Sequence, residues 1–178
     1  MINKIIKWEK LSKEVVFQKY SRKIEKIMFR LPNGEEQDFY IKLEGPAVAV
    51  FAITKDKQVI LVKQFRPGPD EILNEIPGGY IDKNESIQQA AERELLEETG
   101  YKGTIKVINT AYDCAYSTMK RHCVVATDCK KVTDQRLDNT EFAEVILMPL
   151  NNFRDLLRSG QMTDLEIGYL SLDYLGLL

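Results

Sequence analysis

The stretch from Gly79 to Tyr101, GYIDKNESIQQAAERELLEETGY, constrains this chain more than any other. Ala, Leu, Glu and Arg dominate residues 90–99, and neither Gly nor Pro interrupts them, so the segment predicts a helix. Ser86 is its expected N-cap, Gln89 completes a capping box, and Gly100 supplies the stop. At about 100° per residue, Ile87, Ala90, Ala91 and Leu95 form one apolar stripe. Glu94 and Glu98 fall inside that stripe, Glu97 borders it, and Glu92 lies opposite. Carboxylates turned towards a core are costly unless something neutralises them. Arg93 can pair with Glu97 one turn on, but one Arg cannot answer three acids. The simplest compensation is one or more hard divalent cations, which favour oxygen ligands. The competing reading is a Glu-rich surface helix.

The rest of the composition narrows the class. The 178 residues suffice for one full-sized domain, or one domain with a small appendage. Apolar and charged contents of 44% and 29% are those of a globular protein rather than a disordered one. No apolar run approaches the roughly 20 residues of a membrane span, and MINKIIKWEK lacks a signal-peptide core. The expectation is a soluble, cytoplasmic protein with no membrane partner. Cys114, Cys123 and Cys129 are odd in number and lack CxxC spacing, which supports neither a disulfide framework nor a zinc site. His122 is the only histidine, which argues against a His-based metal site or triad. Residues 1–30 hold nine Lys/Arg against three Glu, and residues 70–100 hold nine Asp/Glu against two Lys/Arg. The early lysines alternate with apolar residues instead of clustering. A solvated strand face, or a surface attracting anionic phosphates, fits better than nucleic-acid binding.

Taken in order, Lys13–Phe17 and Lys19–Leu31 predict strands, Asn33-Gly34 a hairpin turn, and Glu36–Leu43 the returning strand. Gly45-Pro46 ends this antiparallel unit. Ala47–Thr54 is a near-continuous apolar run expected to be central, and Gln58–Phe65 comes next. Arg66-Pro67-Gly68-Pro69 reads as a rigid loop. Beyond the helix, Thr104–Asp113, Arg121–Asp128 and Ala143–Met148 predict strands, and Lys130–Thr140 a loop. Asn151–Arg158 predicts a short helix, and Thr163–Leu178 a last one capped by Thr163/Asp164. Strands, a helix between strands and terminal helices together predict an α/β protein, a mixed sheet covered by helices.

The central stretch resembles the Nudix box: Gly, five residues, Glu, seven residues, then Arg-Glu-aliphatic-any-Glu-Glu-any-Gly-hydrophobic. Its fixed positions here are Gly79, Glu85, Arg93, Glu94, Leu95, Glu97, Glu98, Gly100 and Tyr101. Val62-Lys63-Gln64-Phe65-Arg66 and Glu75-Ile76-Pro77-Gly78-Gly79, behind an antiparallel N-terminal unit, are similar to the ADP-ribose pyrophosphatase branch. The resemblance implies a Nudix-type α/β/α sandwich, with a β unit at residues 1–44 serving dimerisation and substrate, and a Nudix domain at 45–178. It also implies metal-dependent hydrolysis of the diphosphate linkage of a nucleoside diphosphate sugar; the alternative is a non-catalytic nucleotide-sensing Nudix module.

For individual residues the resemblance implies Mg2+ or Mn2+ held by Glu94, Glu97, Glu98, Glu141 and the Gly78 carbonyl. Glu97 has a salt bridge with Arg93 as its alternative. Arg93 and Glu85 would orient the carboxylates, although Glu85 could instead cap the helix. The base or further ligand on a late loop aligns best with Glu141. Asn139 stands where this branch often has a second Glu, and Glu144 is the reserve candidate, while Asp138 can equally be a solvated acid. Arg66 is expected on a phosphate and Glu75 on ribose hydroxyls or an adenine amine, a structural ion pair being the alternative for both. No proline falls between Pro77 and Pro149, although this branch usually carries one past the box. Ser117, Lys120 and Arg121 could therefore bind a different terminal group. Trp8, Phe17, Phe29 and Phe39 are stacking candidates that could as well be core. A homodimer is implied by the resemblance alone, the N-terminal strands covering one another's edges.

Overall fold

The computed structural model describes residues 5–178. Two compact units emerge: residues up to Gly45 together with Tyr112–Lys120, and Pro46–Ala111 together with Arg121–Leu178.

The first unit is a three-stranded antiparallel sheet of β1 (Glu9–Lys19), β2 (Arg22–Arg30) and β3 (Glu36–Lys42). The break between its first two strands falls at Tyr20-Ser21, where Lys19 faces Arg22 and Tyr20 takes a positive φ of 52°. That pair carries neither Gly nor Asn, so the sequence did not announce the turn. At the Asn33-Gly34 turn the signal was explicit, and Gly34 takes φ 88°. Tyr112–Lys120 attaches to this unit through the last strand: Lys42 N–H donates to the Tyr116 carbonyl, and Thr118 N–H to the Lys42 carbonyl. Beneath them the Glu44 side chain is nearly buried. It takes Lys42 at 2.9 Å, the Ser117 hydroxyl at 3.0 Å and Arg22 at 3.6 Å.

The second unit carries a mixed sheet in the order β10-β5-β4-β9-β8, with β6 added on β5 and β7 on β4. These strands are β4 (Ala47–Ile53), β5 (Gln58–Arg66), β6 (Glu71–Glu75), β7 (Gly78–Tyr80), β8 (Tyr101–Tyr112), β9 (Lys120–Lys131) and β10 (Ala143–Pro149). The β4 strand runs parallel to β9 and antiparallel to β5. Its unbroken apolar sequence reflects cover on both faces. Val48, Val50 and Ala52 pack with Ala90, Ala91 and Leu95 of α1 (Ile87–Thr99). Ala49, Phe51 and Ile53 pack with Phe153 and Leu157 of α2 (Leu150–Ser159) and Ile167 and Leu172 of α3 (Leu165–Tyr174). The result is the expected α/β/α sandwich with its mixed sheet, preceded by a small antiparallel sheet.

The short strands β6 and β7 were not separately expected. They turn the segment before α1 into sheet and so fix Gly78 and Gly79 against β4. The cap expected for α3 is not made: Asp164 occupies the N-cap position without a side-chain cap bond. Among the described residues no helix is long and apolar enough to cross a membrane.

Candidate active site

Helix α1 is assembled as its sequence dictates. Ser86 Oγ accepts from Gln89 N–H at 3.2 Å, and Gln89 Oε1 accepts from Ser86 N–H at 2.9 Å. Gly100 closes it in the left-handed region at φ 74°. This pins the helix so that the acids on its sheet-facing side project beside β7. Glu98 Oε2 accepts the Gly78 backbone N–H at 2.8 Å, and among the described residues no Lys or Arg forms an ion pair with it. Loss of water around it pushes its carboxyl from an ordinary 4.5 up to about 8, opposed by the Gly78 bond and reinforced by the charges of Glu94 and Glu141. Desolvation also raises Glu94, although Arg93 pulls the other way.

Arg93 gathers the remaining acids. It meets Glu85 twice, at 2.9 Å through Nε and Nη2, and its Nη1 donates to Glu94 at 2.8 Å and to Glu97 at 3.3 Å. Nη2 also donates to the Tyr80 carbonyl at 3.0 Å, tying α1 to β7. Those partners, Glu85 first, raise the guanidinium further above its already high value. Glu85 also accepts from Asp82 N–H at 3.0 Å, so it serves both Arg93 and the turn before the helix. Gly78 is sterically required, and Gly79 leaves room for the Glu94 carboxylate. A Cβ on Gly78 would collide with the Val48 carbonyl, and one on Gly79 with the Glu94 carboxylate.

Across from α1, Arg66 and Glu75 meet on neighbouring strands β5 and β6. Arg66 Nε donates to Glu75 Oε2 at 2.7 Å and Nη2 lies at 2.6 Å, while the arginine side chain remains 45% exposed. Arg66 stands near enough to the box to ease the ionisation of Glu98. The site thus combines a half-exposed arginine, the inward glutamates Glu94 and Glu98, and the glycine backbone bonded to Glu98. The NUDIX domain profile matches residues 43–166, which contain all of these groups.

The chain belongs to the Nudix family. An ADP-ribose pyrophosphatase of Bacillus subtilis (strain 168) is 34% identical over 150 residues, covering 83% of this chain and 80% of that protein. An ADP-sugar pyrophosphatase of Mus musculus is 34% identical over 159 residues, 79% of this chain and 73% of the relative. A methanol dehydrogenase activator of Bacillus methanolicus is 29% identical over 166 residues, 92% and 90% of the two chains. The crystal structure of an ADP compounds hydrolase superposes with a TM-score of 0.80 over 99% of this chain and 100% of that one, at 23% identity, a likeness of fold.

Within the Nudix box the donors are all oxygen, with neither His nor Cys among them. Among the described residues no three Asp, Glu, His or Cys side chains converge into a finished ligand cage. The hydrogen bonds explain why: Arg93 draws Glu94 and Glu97 to itself, and Gly78 holds Glu98. Glu97 is exposed, in keeping with its border position. Glu141 is exposed on the loop before β10, where its Oε2 accepts from Asp138 N–H at 3.1 Å. That loop is tied to the end of α1 by Arg136 N–H to the Glu97 carbonyl at 2.7 Å. Glu144 lies within β10, opposite Lys63 of β5.

Two further expected substrate residues are already engaged. Arg121 contacts Asp164 through Nη2 and Glu166 through Nη1, the latter at 2.8 Å. Ser117 belongs to the first unit, where its hydroxyl serves Glu44. Lys120 lies over the Tyr112 ring at 5.9 Å. Trp8, Phe29 and Phe39 pack on one another with centroids 5.4 to 6.1 Å apart, while Phe17 is half-exposed outside that cluster. Gln64 and Thr163 were missed: each hydrogen-bonds Glu75 at 2.9 Å. The period-two alternation of a strand places Gln64 on the face of Arg66 and could have found it. No local signal marks Thr163.

Proposed function

We propose that this protein is a cytoplasmic hydrolase splitting the diphosphate bridge of a nucleoside diphosphate sugar of the ADP-ribose type. Its products are a nucleoside monophosphate and a sugar phosphate. Family membership and the named pyrophosphatase relatives support the reaction class. The observation that carries it is Glu98, a largely desolvated carboxylate whose only hydrogen-bond partner among the described residues is the backbone N–H of Gly78. Structural glutamates drawn this far from water are paired with a cation; this one is left for a ligand.

The donor set suits a hard divalent cation. Glu94, Glu97, Glu98, Glu141 and the Gly78 carbonyl are the groups that would hold Mg2+ or Mn2+. When bound, the metal supplies positive charge against the pyrophosphate oxygens, which bare glutamates would repel. Arg66 offers the free edge of its guanidinium to a phosphate, while Glu75 holds the opposite edge and sets the plane. Arg93 fixes the Glu94 carboxylate and, through Glu85, ties the helix to the turn before it. Glu141, exposed on its loop, takes the proton of the attacking water on a carboxylate oxygen. Arg121 and Ser117, being engaged elsewhere, have no part in this reading. The working form is a homodimer, in which a second copy covers Val15, Val16 and Phe17 of β1, all exposed in the single chain.

The deciding experiment is a panel of ADP-ribose, ADP-glucose, GDP-mannose and dinucleotides incubated with Mg2+, the products identified by mass spectrometry. Metal-dependent AMP or GMP release is expected. Thermal stabilisation by these compounds without turnover would replace the hydrolase with a nucleotide-sensing module.

A further inference from the structure

We infer that Thr163, in the turn between α2 and α3, is a positioning residue for Arg66, acting through Glu75. The inference rests on the reading of Arg66 as the phosphate-holding group. Glu75 is 1% exposed, the most deeply buried acid among the described residues, and its two oxygens are divided between two sets of donors. Oε2 takes Arg66 and Gln64, both from β5. Oε1 takes the Thr163 hydroxyl, from 88 residues further along the chain.

A carboxylate held by one oxygen can still swing about its other bonds, and the arginine bonded to it swings too. Fixing the second oxygen removes that freedom, so Thr163 determines the plane in which Arg66 presents its exposed edge. The Thr163 hydroxyl also lies against its neighbour. Its oxygen lies 3.2 Å from Asp164 Oδ2, and Asp164 is bound to Arg121, which also takes Glu166 at 2.8 Å. A chain of polar contacts therefore runs from Arg66 through Glu75, Thr163 and Asp164 to Arg121 on β9. The single hydroxyl at its middle has one proton for two carboxylates. The Asp164 side chain, drawn into this chain, makes no helix-cap bond. That is the physical reason the expected cap is absent.

Thr163 is itself exposed, so removing its hydroxyl leaves the core intact. The test compares Thr163→Val and Thr163→Ser, each alone and Thr163→Val with Arg66→Ala, using ADP-ribose with Mg2+ for kinetics. Binding is followed separately by calorimetry of ADP-ribose with Ca2+. Thr163→Val is expected to raise KM and weaken binding about tenfold, the scale of one charge-assisted hydrogen bond, with kcat within about twofold. Thr163→Ser should restore both, and in the Arg66→Ala background Thr163→Val should cost nothing more. A lower melting temperature with KM and affinity unchanged would overturn the positioning role, as would an equal loss with and without Arg66. Wild-type binding without turnover would sink the hydrolase reading alone, and the affinities would still decide for or against Thr163. Absence of ADP-ribose binding by the wild type would overturn both.

Discussion

Glu75 and Glu98 are both glutamates drawn away from water, and they are treated in opposite ways. Glu75 sits among protein donors, with Arg66, Gln64 and Thr163 on its two oxygens. Glu98 has a single backbone N–H, and desolvation lifts its carboxyl to about 8. The first arrangement is complete within the chain. The second is poised for something from outside it. Burial alone therefore does not distinguish a structural acid from a functional one; the inventory of partners does.

The sharpest way to break this contrast is to neutralise each acid. Glu98→Gln should lower kcat by roughly 10³-fold, the scale of losing a group that acts in the transition state, while the protein stays folded. Glu75→Gln should do the reverse in emphasis, costing about 1–3 kcal/mol of stability and raising KM more than it lowers kcat. Similar kinetic and thermal losses in the two variants would erase the distinction.

Next in size is the late loop. Glu141→Gln should reduce kcat about 10²-fold, as for removal of a general base, and Glu144→Gln should stay within about twofold. The opposite ranking in single-turnover assays would transfer the base to Glu144.

A smaller effect concerns acidity. The folded-state value of Glu98, about 8, lies above its ordinary 4.5, so the folded form holds that proton more tightly than the unfolded chain. The associated stability is full below pH 4.5 and is lost as pH rises through about 8; Glu94, raised by desolvation, adds in the same direction. Without divalent metal, the melting temperature should fall by roughly 5 °C across that window. Mg2+ near a hundredfold its dissociation constant should return about 2.7 kcal/mol, more at pH 8 than at pH 5. Scanning calorimetry of Glu98→Gln should show a much shallower slope and a weaker rescue.

What could be read from the chain depended on how local each constraint was. The α1 helix, its caps and the inward acids were legible because side chains three and four apart share a face. The central position of β4 was legible because a strand covered on both sides must be apolar throughout. Arg66 and Glu75 were both singled out, but not the company Glu75 keeps. Thr163 looked like a helix cap, since Thr before Asp and an apolar run is a capping signal; a contact over 88 residues has no periodicity to betray it. The Tyr20 turn escaped for the opposite reason, its backbone being imposed by strand pairing and not by residue type.

The segment Tyr112–Lys120 has a consequence for anyone who would edit this gene. Since the amino-terminal sheet borrows Tyr116 and Thr118 through Lys42, its last pieces leave the ribosome some seventy residues after its third strand. A deletion ending at Gly45 would not excise a removable module; it would strand a nine-residue excursion whose backbone groups had lost their mates.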